Sequence, residues 1–297
     1  MVHTVAPPKA ARSRRICYDR TELILQRVLT FMLFRSLHTA ASGMDAYIFN
    51  LDVIANNLAN AGTTSYKRSR SNFQDIYYQQ FKLPGQQDSN GNLTGVGVAA
   101  GLGARVAATQ MNFEQGSLLD TGRRLDVAIV GDGFFQLQDT NQPLYSRNGT
   151  FTVNENGDLI VASADIGRRL DPPITIPNDA IELAISPEGI VSVLQPGSPN
   201  LSQVGTIQLV RFINPEGLLQ KGDTLYAQTD ASGTPIQADP GQQGLGTLRQ
   251  GYLEISNAEP VEELVELIKT QRNVELNSQV IKAADQLLQL VANLRQF

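Results

Sequence analysis

One cysteine, Cys17, and two histidines, His3 and His38, stand among 297 residues. The first count excludes an intramolecular disulfide, and the second leaves a histidine metal site or histidine general base without its residues. Long apolar runs are missing too. Nothing reaches the ~20 residues that a membrane-spanning helix needs. Positive charge is also in short supply: 24 basic against 29 acidic residues give a formal net charge of −5, so no global basic field exists to hold nucleic acid or an anionic membrane. These absences leave ordinary enzyme chemistry poorly provided for. What remains is a chain that is 41% apolar and 18% charged, enough to bury a core, with a length that suggests about two domains.

The charge is unevenly placed. Residues 1–31 hold Lys9, Arg12, Arg14, Arg15, Arg20 and Arg27 against Asp19 and Glu22, a sum of +4 that leaves −9 for the rest. A basic stretch followed by Leu23–Phe34 resembles a secretory signal, but Arg27 interrupts the apolar part and no small-x-small cleavage site follows directly. Residues 1–31 are therefore expected to be an extension or an upstream start, with the patterned body beginning at Met32.

Two stretches keep a seven-residue apolar beat. In the first, Leu37, Met44, Leu51 and Leu58 form one row and Ala40, Tyr47 and Ile54 a second, which predicts a helix ending near Asn60-Ala61-Gly62. In the second, Ser256 and Glu259 read as a capping box, Pro260 falls in the first turn, and Leu267, Val274, Ile281, Leu288 run beside Asn277, Ala284, Val291. Val280, Leu287 and Leu294 widen that stripe. It predicts a helix of roughly 38 residues, about 57 Å long.

Between them the pattern is strand and turn. Leu125–Val130 and Phe134–Leu137 flank Gly131-Asp132-Gly133, while Asn154-Glu155-Asn156-Gly157 joins Thr150–Val153 to Leu159–Val161 as a hairpin. The form repeats around Ser186-Pro187-Glu188-Gly189 and before Asn214-Pro215-Glu216-Gly217. An antiparallel domain over roughly 120–230 follows, preceded by a glycine-rich loop or arm from Gln79 to Gly103. The expected divisions are 1–31 (extension), 32–75 (helical), 76–120 (glycine-rich arm), 121–230 (β-rich), 231–255 (return segment) and 256–297 (helical). The expected fold class is α+β, with long N- and C-terminal helices packed as a coiled-coil-like stem and a central antiparallel β-rich domain.

Chemical motifs are weak. Gly95-Val96-Gly97 and Gly101-Leu102-Gly103 lack the strand-then-helix setting of a phosphate loop. Asp126 and Asp132 sit where aspartate commonly closes turns rather than where acid–base pairs work. Lys67-Arg68-Arg70 and Arg123-Arg124 read as solvated or partner-facing charges, given the acidic surroundings. No cofactor, metal site or catalytic residue is expected.

Asn50-Leu51-Asp52-Val53-Ile54-Ala55-Asn56-Asn57-Leu58-Ala59-Asn60, followed by Tyr66-Lys67, closely resembles the signature of the flagellar rod and hook axial proteins. Asp126–Phe135 looks like that family's central strand pair, and Gly251–Glu254 through Asn277-Ser278 and Ala283-Ala284-Asp285 looks like its C-terminal region. Asn72–Asp75, Val106–Gln110 and Gly244–Tyr252 are most similar to its distal rod members. The likeness covers 32–297. Ser65 departs from it, standing where the family usually carries glycine. The resemblance implies a structural subunit that self-assembles helically, with proximal rod, hook, P-ring and L-ring proteins and the flagellar type III export apparatus as partners, and no nucleic acid. It places the chain in the distal rod of the basal body, between periplasm and outer membrane. The implied subunit-packing residues are Leu37, Met44, Leu51, Ile54, Asn56, Asn57, Leu58 and Asn60 in the N-terminal helix, with Leu267, Val274, Asn277, Ile281, Ala284, Leu288 and Val291 in the C-terminal one. A proximal rod or hook subunit is the nearest alternative; a β-rich binding module, an enzyme or a cleaved surface adhesin is more remote.

Overall fold

The computed structural model describes residues 10–87, 91–93, 95–139, 142–162, 166–197 and 200–294. They divide into two compact units. One comprises Val53–Arg70 and Gln110–Val265; the other comprises 10–52, 71–109 and 266–294. Helix α1 runs Ala10–Ala59 and helix α2 runs Pro260–Leu294, so the chain of each helix passes from one unit into the other.

The larger unit is built on a six-stranded sheet in the order Leu219–Gly222, Leu225–Ala227, Leu144–Ser146, Phe134–Leu137, Leu209–Arg211, Ile236–Ala238. Two adjacent phenylalanines show how its sequence builds two cores. Strand side chains alternate between faces, so Phe134 and Phe135 point opposite ways. Phe135 joins Leu137, Leu144, Phe151, Leu159, Leu170 and Leu209 on one face, and Phe134 joins Met111, Tyr145, Val210, Phe212 and Tyr226 on the other. The second cluster is mostly aromatic, with edge-to-face pairs such as Tyr145 and Phe212 at 4.8 Å between centroids. Each such side chain contributes about 1.5–3 kcal/mol by leaving water. The strand Val127–Val130 pairs antiparallel with Thr247–Gln250 and carries Val127, Ala128 and Ile129 all buried. Beside it Gly149 permits a close backbone approach, because a Cβ there would collide with the Val127 carbonyl oxygen that faces it.

The remaining pairings follow the turn signals. Phe151–Val153 pairs with Leu159–Val161 across the Asn154–Gly157 turn, and Glu182–Ile185 pairs with Ile190–Leu194, which pairs in turn with Ser202–Thr206. Leu118–Asp120 pairs with Tyr252–Glu254, the strand that leads into α2.

In the smaller unit Tyr78–Lys82 and Val98–Gly101 form a two-stranded antiparallel ribbon within the glycine-rich segment. The Tyr47 ring of α1 meets that of Phe73 at 5.7 Å between centroids, tilted by 47°, and the Arg35 guanidinium lies 5.1 Å from the centre of the Phe81 ring.

The expected coiled-coil-like stem is corrected here. The described residues form two α-helices and a β-rich body, and among them no coiled coil of one terminal helix on the other is evident. Of the fifteen positions read as packing residues, only Ile54, Asn57 and Ala284 are buried. Knobs-into-holes packing would bury the whole seam. Where the two helices do meet, the groups are small and polar: Asn277 sits against Gly43, and Asn50 Nδ2 donates to Thr270 Oγ1 at 3.1 Å. A heptad stripe shows that one helix face is apolar; it does not identify the surface that covers it. Two boundaries also differ. Helix α1 is continuous from Ala10 rather than starting near Met32. The capping box at Ser256 does not form either, since the Ser256 hydroxyl accepts from the Ala258 amide at 3.1 Å and the helix opens at Pro260.

Candidate functional site: a buried charge cluster and the helix faces

After α1 ends, the chain turns sharply at Ser65, a non-glycine residue with φ of 58°. That left-handed conformation suits glycine, and serine is held in it here by bonds to two carbonyls distant in sequence. The Ser65 amide donates to the Glu254 carbonyl at 2.8 Å and its hydroxyl to the Arg147 carbonyl at 2.9 Å. Two residues on, this turn delivers Lys67 into the interior. Lys67 Nζ donates to Glu254 Oε1 at 2.7 Å and to the Glu114 carbonyl at 2.6 Å, with both charged side chains at 0% exposure. Arg147 closes the cluster. Its Nε meets Glu254 Oε2 at 2.8 Å, and its other nitrogens donate to the carbonyls of Gly133 at 3.0 Å and Gly131 at 2.9 Å.

Two cations thus share one buried anion. Burial alone would raise the Glu254 carboxyl, yet Arg147 and Lys67 together hold it below its usual value. The same imbalance acts in reverse on Lys67, where burial first and the repulsion of Arg147 second outweigh the pull of Glu254 and lower it to about 8. None of the buried polar atoms of Lys67, Arg147 and Glu254 is left without a hydrogen-bond partner. The cluster's chemistry is to hold, not to react.

A second set of bonds extends the grip. Asn57 Nδ2 donates to the Ser69 carbonyl at 2.8 Å and to Glu263 Oε2 at 3.2 Å, while its Oδ1 accepts from the Ser69 amide and the Tyr66 hydroxyl. Asn257 accepts from the Arg68 amide at 2.8 Å and donates to the Asn112 carbonyl at 2.8 Å. The last turn of α1, residues 65–69 and the first turn of α2 are thereby fastened to one another.

The sequence-predicted residues fall in several places. Ile54 and Asn57 are buried, Leu37, Met44, Leu51, Leu58 and Asn60 are half-buried, and Asn56 is exposed. In α2, Ala284 is buried and Leu267, Val274, Asn277, Ile281, Leu288 and Val291 are half-buried. The structure brings only Asn57 into the cluster. The opposite side of α2 carries Val261, Val265, Ile268, Leu276, Leu287 and Leu290, all exposed. Of the widening row, Val280 and Leu287 are exposed, and the side chain of Leu294 lies outside the described residues.

Lys67 is a correction, because it is an internal charge rather than a solvated or partner-facing one. Other members of the two basic clusters also pair within the chain: Arg68 with Glu262 at 3.4 Å, Arg123 with Asp126 at 3.5 Å and Arg124 with Glu182 at 3.2 Å. Arg147 carried no recognisable pattern of its own; the available signals were Tyr66-Lys67 closing the Asn-rich signature and Glu254 ending the Gly251–Glu254 motif. Among the described residues there is no group of His, Cys, Asp and Glu that could hold a metal ion, and no helix is long and apolar enough to cross a membrane.

Comparison with known proteins agrees with this geometry. Three family models match: Flagella basal body rod protein over residues 37–67, Flagellar hook protein FlgE/F/G D1 domain over 128–193, and Flagellar basal body rod FlgEFG protein C-terminal over 249–294. The first spans the α1 end and Lys67, and the third spans Glu254 and α2. The flagellar basal-body rod protein FlgG of Buchnera aphidicola subsp. Schizaphis graminum is 41% identical over 260 residues, 87% of this chain and 99% of the relative. That of Borreliella burgdorferi is 41% identical over 267 residues, 89% and 100%. That of Caulobacter vibrioides is 41% identical over 263 residues, 88% and 99%. With identity at that level sustained across nearly the full length of each relative, the chain belongs to the flagellar basal-body rod protein family and is a structural component of the basal body, not an enzyme.

Proposed function

We propose that this chain is the subunit of the distal rod, assembling head to tail into a helical drive shaft that carries torque through the P and L rings to the hook. The observation that carries this reading is the uncovered apolar side of α2. Val261, Val265, Ile268, Leu276, Leu287 and Leu290 recur at helical spacing and stay exposed, so the single chain leaves a long apolar stripe in water. A contact surface of that length on a chain that must repeat it in every copy leads to an open, heterologous assembly. The half-buried positions Leu267, Val274, Asn277, Ile281, Leu288 and Val291, with Ala284, and the α1 positions Leu37, Met44, Leu51 and Leu58 serve as packing residues against neighbouring subunits. Proximal rod proteins lie below the assembly and the hook above it, and the flagellar export apparatus delivers the subunits.

Deleting the gene and imaging basal bodies by electron cryotomography tests this. The reading expects a rod that stops short of the outer rings with no hook attached; a full-length rod bearing a hook in the deletion strain would refute it.

A further inference from the structure

Asparagine followed by glycine is the dipeptide that loses its side-chain amide most readily, because no Cβ on the second residue shields the peptide nitrogen from the asparagine Cγ. The chain has such steps at Asn90, Asn148 and Asn156. Asn90 lies outside the described residues. The other two share a dipeptide but not an environment.

Asn148-Gly149 is held from several sides. Asn148 Oδ1 accepts from the Thr150 amide at 3.1 Å and from the Thr150 hydroxyl at 2.8 Å, which fixes the side-chain carbonyl. The Asn148 amide donates to Ser146 Oγ at 3.0 Å. Gly149 is buried, and its carbonyl accepts from the amide of Val127, a fully buried residue, at 3.0 Å. Moving this step means parting it from the core strand beside it.

Asn156-Gly157 lies in the exposed turn of a hairpin. Asn156 is exposed, and its side chain has no hydrogen-bond partner among the described residues. The turn is shaped instead by Asn154, whose Oδ1 accepts from the amides of Asn156 at 3.0 Å and Asp158 at 2.8 Å. Glycine is required at 157, where φ is 86° and a Cβ would run into the Ile176 carbonyl oxygen. The labile step is therefore built into the turn. One bond guards the nucleophile, from the Gly157 amide to the Asn154 carbonyl at 3.0 Å. It closes an exposed turn, so it opens by local fluctuation rather than by unfolding.

We propose that Asn156 is a site of spontaneous covalent modification, deamidating through a cyclic imide with Gly157, and that the fold protects Asn148 from the same reaction. The Gly157 nitrogen gives up its proton and bonds to Asn156 Cγ; the Cγ–Nδ2 bond breaks, and Nδ2 leaves as ammonia with a proton in place of the one given up. Water then opens the ring, at Cγ to give aspartate or at the main-chain carbonyl to give isoaspartate. Nothing is oxidised or reduced. Isoaspartate adds one methylene to the backbone of the turn. Either product places a new carboxylate two residues from Asp158, which Arg169 meets at 3.3 Å.

The test ages the purified full chain in mildly alkaline buffer, folded and in guanidinium chloride. Fragment sequencing by mass spectrometry locates each exchange of amide nitrogen for oxygen, and a protein isoaspartyl methyltransferase labels the isoaspartate. In the folded chain Asn156 converts at least about tenfold faster than Asn148, a difference of about 1.4 kcal/mol or more in local opening. In denaturant the two convert at comparable rates, because only the dipeptide then matters. N156Q alters an exposed, unbonded side chain, so it unfolds with the parental midpoint and carries no label in the hairpin. Equal rates at the two sites in the folded chain, faster conversion at Asn148, or an Asn156 that survives in the folded chain while it converts in denaturant would each overturn the proposal.

Discussion

Lys67 Nζ and Glu254 Oε1 are 2.7 Å apart, both side chains are fully enclosed, and the two residues stand 187 positions apart in the chain. Arg147 sits on the other oxygen of the same carboxylate at 2.8 Å. An unequal cluster of this kind makes the three residues unequal in consequence.

Removing the anion strands two cations, whereas removing one cation leaves a paired couple. Glu254→Gln is expected to cost about 3–5 kcal/mol, the range for breaking a buried pair, and Lys67→Met less because Arg147 still holds the carboxylate. Urea unfolding of the purified chain measures both. A Lys67→Met loss equal to or larger than that of Glu254→Gln would contradict the two-to-one arrangement.

The cluster also gives stability a signed pH dependence. The carboxyl of Glu254 is held below the ordinary value of about 4.3, so the unfolded chain takes up that proton first on acidification. The stability it contributes is complete above about pH 4.3 and is lost as pH falls through its folded value. Lys67, at about 8 when folded against about 10.4 unfolded, leaves the unfolded chain with more bound protons across that interval. Its contribution therefore rises from about pH 8 to about 10.4. Denaturation midpoints of the wild type should gain on those of Lys67→Met over the alkaline window; parallel curves would contradict this.

Ser65 separates backbone from side-chain effects. Ser65→Gly relieves a left-handed residue worth roughly 1–2 kcal/mol while losing the hydroxyl bonds to Arg147 and Glu254. Ser65→Ala keeps the strain and loses the same bonds, adding about 1–3 kcal/mol of unmet hydrogen bonding. Calorimetry should rank alanine below glycine, and the reverse order would show that the φ of 58° is not strained.

On α2, Leu276→Ser combined with Leu287→Ser changes two residues that are already exposed, at 58% and 50%. Monomer stability is expected to move by less than about 0.5 kcal/mol per site, as at other exposed positions. Swimming should nevertheless fail. Full motility would show that this stripe is not a subunit contact.

Much of this was readable in order along the chain. The Asn154–Gly157 hairpin, the strands flanking Gly131-Asp132-Gly133, and the heptad rows are local patterns, with every residue needed for the inference lying within a few positions. The seam partner was not readable, since apolarity along Leu267–Val291 carries no address. Nor was the Lys67–Arg147–Glu254 cluster, whose members are unremarkable alone and meaningful only when the fold brings them together from 107 and 187 residues away. Ser65 lay between these cases. Its departure from glycine signalled an unusual turn, but its bonds depended on distant carbonyls.

For a part that must transmit rotation, the fastening of the α1 end to the α2 start has a mechanical meaning. Tension on either terminal segment reaches Asn57, Lys67 and Glu254 within a few residues of where the helices end. The load is therefore shared between the two ends through short side-chain links before it can peel strands from the sheet. In a twisting subunit these links at the roots of the two helices take up the strain first, and the sheet bears only what they pass on.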